Sequence, residues 1–309
     1  MTNILCTIEG FTEEAQTKLN AIGTVTYAKP SQEELSSLVA DSEILVVQLG
    51  LTIDTSVIDA APNLKYIATA TTGLDHIDIE HAESKGVKIV SLKGETEFLN
   101  SITSTSELAL GLMIALARNI PAAASSVENG AWNREGHRGQ TLSGKTLGVV
   151  GMGRLGKLMA QYGEGLGMNV IFTDPDVEGG VSPEELLKES DVISIHVHLQ
   201  EDTENMIGDA SIKLMKPTAL LINTARGKIV DETAIMKALD ASTLAGYATD
   251  VLSDELSFED GNATSDLIEY AKTHRNVIIT PHIGGTTLES REATDIFIAQ
   301  KLSTVINNQ

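Results

Sequence analysis

The stretch that most constrains this chain is Thr146–Asp174, TLGVVGMGRLGKLMAQYGEGLGMNVIFTD. Leu147 to Val150 is short and apolar, the pattern of a strand buried on both faces of a parallel sheet. Gly151, Gly153 and Gly156 follow in G-x-G-x-x-G spacing. Leu155, Leu158, Met159 and Tyr162 then recur at roughly helical spacing, and a second strand, Asn169 to Thr173, ends at Asp174. The glycines have separate jobs: Gly151 permits the tight turn from strand to helix, Gly153 lets the backbone approach a pyrophosphate, and Gly156 lets the helix pack on the strand. The helix N-terminus, opened by Arg154 and Leu155, offers unpaired N–H groups and a positive dipole end to phosphates. Asp174 would accept hydrogen bonds from the adenosine ribose. Its charge would repel a 2′-phosphate, and no Lys or Arg lies between it and Lys188, so NAD is favoured over NADP. Strand, glycines, helix and acid in this order make a dinucleotide site rather than a glycine-rich turn.

A chain of 309 residues has room for two domains with full cores. Acidic residues outnumber basic ones 43 to 22, for a net charge of −21. Such a field repels nucleic acid and anionic membranes, and an anionic substrate would need local positive charge. The single cysteine, Cys6, excludes an intramolecular disulfide and reads as a small core residue. MTNILCTIEG lacks a basic leader, and the longest apolar run, Leu108 to Ala117, is about half a membrane span. A reducing, cytoplasmic setting is the expectation.

Strands are expected at Asn3–Ile8, Thr24–Tyr27, Ile44–Gln48, Tyr66–Ala70 and Val87–Ser91, with helical or turn sequence between them. Ser31 and Glu34 form a capping-box pattern at one helix start. A long apolar helix, Ser101 to Asn119, is expected to stop at Pro121, with a more polar helix from Ala122 to Gly130. Beyond Asp174 the rhythm continues, with strands at Val192–Val197, Ala219–Asn223, Leu244–Thr249 and Val277–Thr280. A final helix, Leu288 to Val305, is long enough to return to the first domain. Alternation of this kind implies α/β architecture with two doubly wound parallel sheets. The division expected is 1–99 plus 284–309 as a discontinuous substrate domain, and 100–283 as the dinucleotide-binding domain.

Three segments stand at the ends of the later strands, where open α/β sheets bind ligands: Asn223-Thr224-Ala225-Arg226-Gly227, Asp250 to Glu255, and Pro281-His282-Ile283-Gly284-Gly285. With the glycine-rich unit they resemble, in order and over nearly the whole chain, the D-isomer-specific 2-hydroxyacid dehydrogenase family. That resemblance implies a flavodoxin-like substrate domain beside a Rossmann NAD-binding domain. It implies catalysis by Arg226, Glu255 and His282. Arg226 would pair with the substrate carboxylate and lean on the carbonyl oxygen. His282 would be the general acid in reduction and the base in oxidation, with Glu255 holding the imidazole and favouring its protonated form. The resemblance also puts Asp250 beside the nicotinamide, and has Thr224, Ala225, Gly284 and the backbone near His196 lining the cofactor. Thr72, Gly73 and Leu74, within TTGLDHID, would cradle the substrate carboxylate through their N–H groups, and Ser104 to Glu107 would sit near the nicotinamide. His76, His81, His137, His198 and His274 have no such partner pattern and read as structural or solvent-facing. No metal-ligand spacing is present.

The activity implied is NAD-dependent interconversion of a D-2-hydroxy acid and its 2-oxo acid. In TTGLDHID and GETEFLNSITSTSE the chain resembles phosphoglycerate-dehydrogenase-like members, and the expectation is a form without a regulatory C-terminal domain. In those relatives the loop near Gln48-Leu49-Gly50-Leu51 commonly carries an arginine for a substrate phosphate, and here it carries no positive charge. The alternatives are an NAD(H)-sensing protein of the same fold, or a dehydrogenase of another small anion such as formate or phosphite. The resemblance also implies a homodimer, through the long helix and the segment after it; Ala109, Leu112 and Ala117 with Trp132 are consistent with an apolar interface, although a monomer core would look the same.

Overall fold

The computed structural model describes residues 2–258 and 263–308. The chain divides into two compact units, one of Met1–Ile102, Leu256–Asn262 and Thr286–Gln309, the other of Thr103–Glu255 and Ala263–Gly285. Both are α/β, as the alternation of elements implies.

The first unit holds strands β1 (Asn3–Cys6), β2 (Thr24–Tyr27), β3 (Ile44–Val47), β4 (Tyr66–Thr69) and β5 (Lys88–Val90). They form one sheet in the order β2-β1-β3-β4-β5, and every pair is parallel. This is the flavodoxin-like order, whose topological switch lies between β1 and β3. Central strands β3 and β4 are buried along their whole length, which is why they read as continuous apolar runs without alternation. One face of the sheet is covered by Ala15 and Leu19 together with Ile298, Ala299 and Leu302 of the helix Leu288–Asn307. The other face packs on Leu35, Val39, Val57 and Ile58. The Ser31–Glu34 capping box forms in both directions.

The second unit holds β6 (Thr146–Val150), β7 (Asn169–Thr173), β8 (Val192–Ile195), β9 (Leu220–Asn223), β10 (Gly246–Thr249) and β11 (Val277–Ile279). The order is β11-β10-β9-β8-β6-β7, again all parallel. Its switch lies between β6 and β8, so the glycine-rich turn after β6 opens at the position where such sheets take ligands.

By length and composition alone Thr96–Ala117 could cross a membrane. Here it is two helices, Thr96–Leu99 and Ser104–Ala117. The second buries Ala109, Leu112, Met113, Leu116 and Ala117 in the core over the second sheet. Two expectations are corrected by this helix. Ala109, Leu112 and Ala117 are core residues rather than an exposed face, because the helix packs on β9, β10 and the helix Arg154–Gly165. Its stop is also set earlier than Pro121. Asn119 turns into the left-handed region (φ 52°), and Pro121 sits in the first turn of the next helix, Ile120–Glu128. There its missing N–H costs nothing.

Candidate active site

The glycine-rich turn behaves as its spacing demands, with one addition. Gly151 has φ +90°, and a Cβ there would lie 2.7 Å from the His196 carbonyl oxygen after β8. Gly156 is packed against the turn itself, since a Cβ would fall 1.9 Å from the Gly151 carbonyl oxygen. At Gly153 a Cβ would meet nothing within 4 Å. Protein packing does not require that glycine, and the open space above it lies at the N-terminus of the helix Arg154–Gly165, the kind of place that suits a phosphate. Asp174 does more than await a ribose. One carboxylate oxygen accepts from the Met152 amide at 2.7 Å and the other from the Asp176 amide at 2.9 Å, so the acid braces the glycine turn to the end of β7. Ser106 Oγ, on the long helix, donates to the Leu155 carbonyl at 3.0 Å and holds the same turn from the other side.

Further along the sheet, Thr224 is buried, and its Oγ1 has no hydrogen-bond partner among the described residues. An orphaned buried hydroxyl at the carboxyl end of β9, in the same sheet as the glycine turn, suits a bound polar ligand. Glycine turn, helix terminus, ribose acid and hydroxyl together fit NAD. The backbone of His196 lies against the glycine turn, as the Gly151 contact shows, while its side chain turns to β8. Its Nε2 lies 2.8 Å from Ser194 Oγ, and burial pushes the imidazole down from 6.5 to about 4.

Arg226, Glu255 and His282 all belong to this unit, on the loops after β9, β10 and β11, neighbours in the sheet. Asn223 at the end of β9 ties the first loop, accepting from the Ala225 amide (3.0 Å) and donating to the Arg226 carbonyl (2.9 Å). The Arg226 guanidinium donates to the Ala225 carbonyl at 2.7 Å. Gly227 then lies flat on the Leu252 carbonyl group, where a Cβ would approach to 2.0 Å. Glu232 accepts from the Ser253 amide at 2.8 Å. Glu255, one turn on, accepts from the Leu252 amide through one oxygen (3.2 Å) and meets His282 Nδ1 with the other at 2.8 Å.

His282 stands at φ 53°, in the left-handed region that a non-glycine residue occupies at a cost. The clamp that keeps it there is Asp250. This buried carboxylate accepts from Thr280 Oγ1 (2.6 Å), the Ile283 amide (2.9 Å) and the Gly284 amide (2.8 Å). Its own carbonyl accepts from the His282 amide at 2.9 Å. Burial raises the Asp250 carboxyl, and these donors and the nearby imidazole pull it back. Asp250 and Gly284, both expected as cofactor contacts, are joined to each other in the frame of the His282 turn.

Thr72, Gly73 and Leu74 lie in the first unit, after β4. Thr71 Oγ1 donates to the Gly73 carbonyl at 2.8 Å. Among the described residues, the three amides have no acceptor, as an anion cradle requires. His76 beside them is wholly buried. His81 pairs with Asp59 and His274 stacks on Tyr270. Among the described residues no group of three or more His, Cys, Asp or Glu could hold a metal.

Comparison with known proteins agrees with this arrangement. Residues 110–284 match the family described as D-isomer specific 2-hydroxyacid dehydrogenase, NAD binding domain. The chain is 35% identical over 308 residues to a D-3-phosphoglycerate dehydrogenase of Methanocaldococcus jannaschii, covering 96% of this chain but 56% of that one. It is 35% identical to a hydroxypyruvate reductase of Thermotoga maritima, covering 90% and 89%. Among solved structures, the D-lactate dehydrogenase of Aquifex aeolicus, complexed with NAD and lactic acid, superposes with a TM-score of 0.85 at 27% identity, covering 99% and 96%.

Two outcomes test this geometry. Asp174→Ala should weaken NADH binding by about tenfold and narrow the gap between NADH and NADPH; fluorescence titration with both cofactors reads it, and an unchanged gap refutes the ribose assignment. His196 should make the fold acid-sensitive. The unfolded chain takes up its proton near pH 6.5 and the folded chain only near 4. Stability is therefore complete above the higher value and falls through that window, by on the order of 2–3 kcal/mol. Urea midpoints at pH 7 and 4.5 should separate less for His196→Gln than for the parent chain, and equal separations would exclude the group.

Proposed function

The chain belongs to the D-isomer specific 2-hydroxyacid dehydrogenase family, and we propose that it interconverts a D-2-hydroxy acid and its 2-oxo acid with NAD as hydride carrier. The observation that carries this reading is the 2.8 Å pair of Glu255 with His282 Nδ1, on a turn framed by Asp250. With Nδ1 engaged, the opposite ring nitrogen is the one that serves the substrate.

In the reducing direction Arg226 pairs with the carboxylate of the 2-oxo acid and polarises its carbonyl oxygen. His282 donates a proton to that oxygen as negative charge develops on it. Glu255 keeps the imidazole in the tautomer and orientation the transfer needs, and stabilises its protonated form. NADH, when bound, supplies the hydride that ends on C2. Hydride on carbon and proton on oxygen give the 2-hydroxy acid and NAD⁺, and oxidation runs through the same groups in reverse. The first unit serves as substrate domain, its amides at Thr72, Gly73 and Leu74 being suited to an anion, and the second as the dinucleotide-binding domain. Relatives acting on hydroxypyruvate and on phosphoglycerate support a short 2-oxo acid as substrate. The lone buried Cys6 is in keeping with a reducing, cytoplasmic setting.

Self-association is part of the same reading. On and beyond the helix Ile120–Glu128, Ile120 is 47%, Val127 52% and Trp132 91% exposed. Apolar side chains this open on an acid-rich chain suit a second copy as their cover.

His282→Asn should lose about 10²–10⁴-fold in kcat toward 2-oxo acids while NADH still binds; near-parental turnover would end the proposed mechanism. In light scattering the protein should run at twice the 32.9 kDa of one chain, and Trp132→Glu should shift it toward one; a monomeric parent would refute the dimer.

A further inference from the structure

Three successive amides in the loop after β10 are held by side chains. The Val251 amide donates to Thr249 Oγ1 at 3.2 Å, the Leu252 amide to Glu255 Oε2 at 3.2 Å and the Ser253 amide to Glu232 Oε1 at 2.8 Å. Two of these acceptors belong to the loop or its strand. The third and closest comes from elsewhere, since Glu232 opens the helix Glu232–Asp240, 21 positions before Ser253. That helix has its cap without Glu232, because Asp231 accepts from the Ala234 amide at 3.0 Å. A first-turn acid ordinarily serves its own helix terminus; this one also serves the neighbouring loop.

The peptide unit between Leu252 and Ser253 is clamped on both sides. Its carbonyl lies under Gly227 and its N–H is taken by Glu232. Both clamps come from the segment after β9 that carries Arg226. The next peptide unit back supplies the Leu252 amide to Glu255, whose other oxygen meets His282 Nδ1 at 2.8 Å. Electrostatics alone would not assemble this cluster. Burial raises the Glu232 carboxyl, donation from Ser253 lowers it, and the charges of Asp254 and Glu255 raise it again. Like charges so placed work against the fold, and what they yield in exchange is a fixed loop. Resting on the dehydrogenase reading above, we infer that Glu232 is a positioning residue for the proton transfer: through Ser253 it sets the loop from which Glu255 meets His282, and ties that loop to the segment bearing Arg226. Its action passes through Glu255 and is felt in the chemical step rather than in substrate or cofactor binding.

The test measures kcat and KM for a 2-oxo acid that the parent reduces, NADH affinity by fluorescence, and melting temperature. The variants are Glu232→Ala, Glu232→Gln, Glu255→Gln and the double variant Glu232→Ala/Glu255→Gln. Glu232→Ala should lose about 10- to 100-fold in kcat, with KM, NADH affinity and melting temperature close to the parent's. Gln, which keeps an acceptor for the Ser253 amide, should restore most of the rate. In the Glu255→Gln background the Ala substitution should cost about twofold at most, because the group it positions is gone. Parental kcat in Glu232→Ala overturns the assignment, and so does a loss of equal size in both backgrounds or one that Gln does not restore. A kcat that falls only in step with NADH affinity and melting temperature also overturns it and leaves Glu232 a structural clasp. Turnover of no 2-oxo acid by the parent overturns the dehydrogenase reading and the assignment with it.

Discussion

One buried carboxylate, Asp250, orders the chemistry of the second unit. Ionised acid is expensive inside a protein, and here three donors from a single turn offset the expense. In return the turn holds His282 in a left-handed backbone it would otherwise leave. The neighbouring loops are locked to the same framework. Gly227 lies on Leu252, Glu232 holds Ser253, and Glu255 reaches back to the Leu252 amide while meeting the imidazole. Three adjacent strand ends thus carry one rigid constellation, and its precision comes from backbone amides rather than from long, mobile side chains.

Charge distribution follows a related logic. The chain is strongly acidic, yet its proposed anion sites are made locally, from amides at Thr72–Leu74, a helix N-terminus after Gly153 and the guanidinium group of Arg226. Short-range donors of this kind act at contact distance, where the diffuse negative field is screened by water and salt.

Much of this was legible before any coordinates, for definable reasons. The glycine turn is readable because each glycine answers a local geometric demand, and the strands are readable because burial on both faces removes alternation. Arg226, Glu255 and His282 lie in segments that follow β9, β10 and β11, and the resemblance of those segments, in that order, to a known family is what points to them. What escaped reading depends on distant partners. Pro121 looked like a stop, but Asn119 breaks the helix first and the proline then suits the next one. Ala109, Leu112 and Ala117 look alike in a core and at an interface, and only packing on β9 and β10 decides. The use of Asp250 on one hydroxyl and two amides of the His282 turn, and of Asp174 on Met152, leaves no mark in residue type. The partnership of Glu232 with Ser253 is invisible to any local pattern.

The helix Leu288–Asn307 is also a matter of timing. It supplies Ile298, Ala299 and Leu302 to the core over a sheet whose strands end at Val90. On a ribosome working from the N-terminus, those five strands emerge early and wait with one face only partly covered, by Ala15 and Leu19, while nearly two hundred further residues are made. The second unit, largely contiguous, can close in that interval. The first unit is thus the earliest begun and the latest finished, and its half-covered sheet is the species a nascent-chain chaperone would meet.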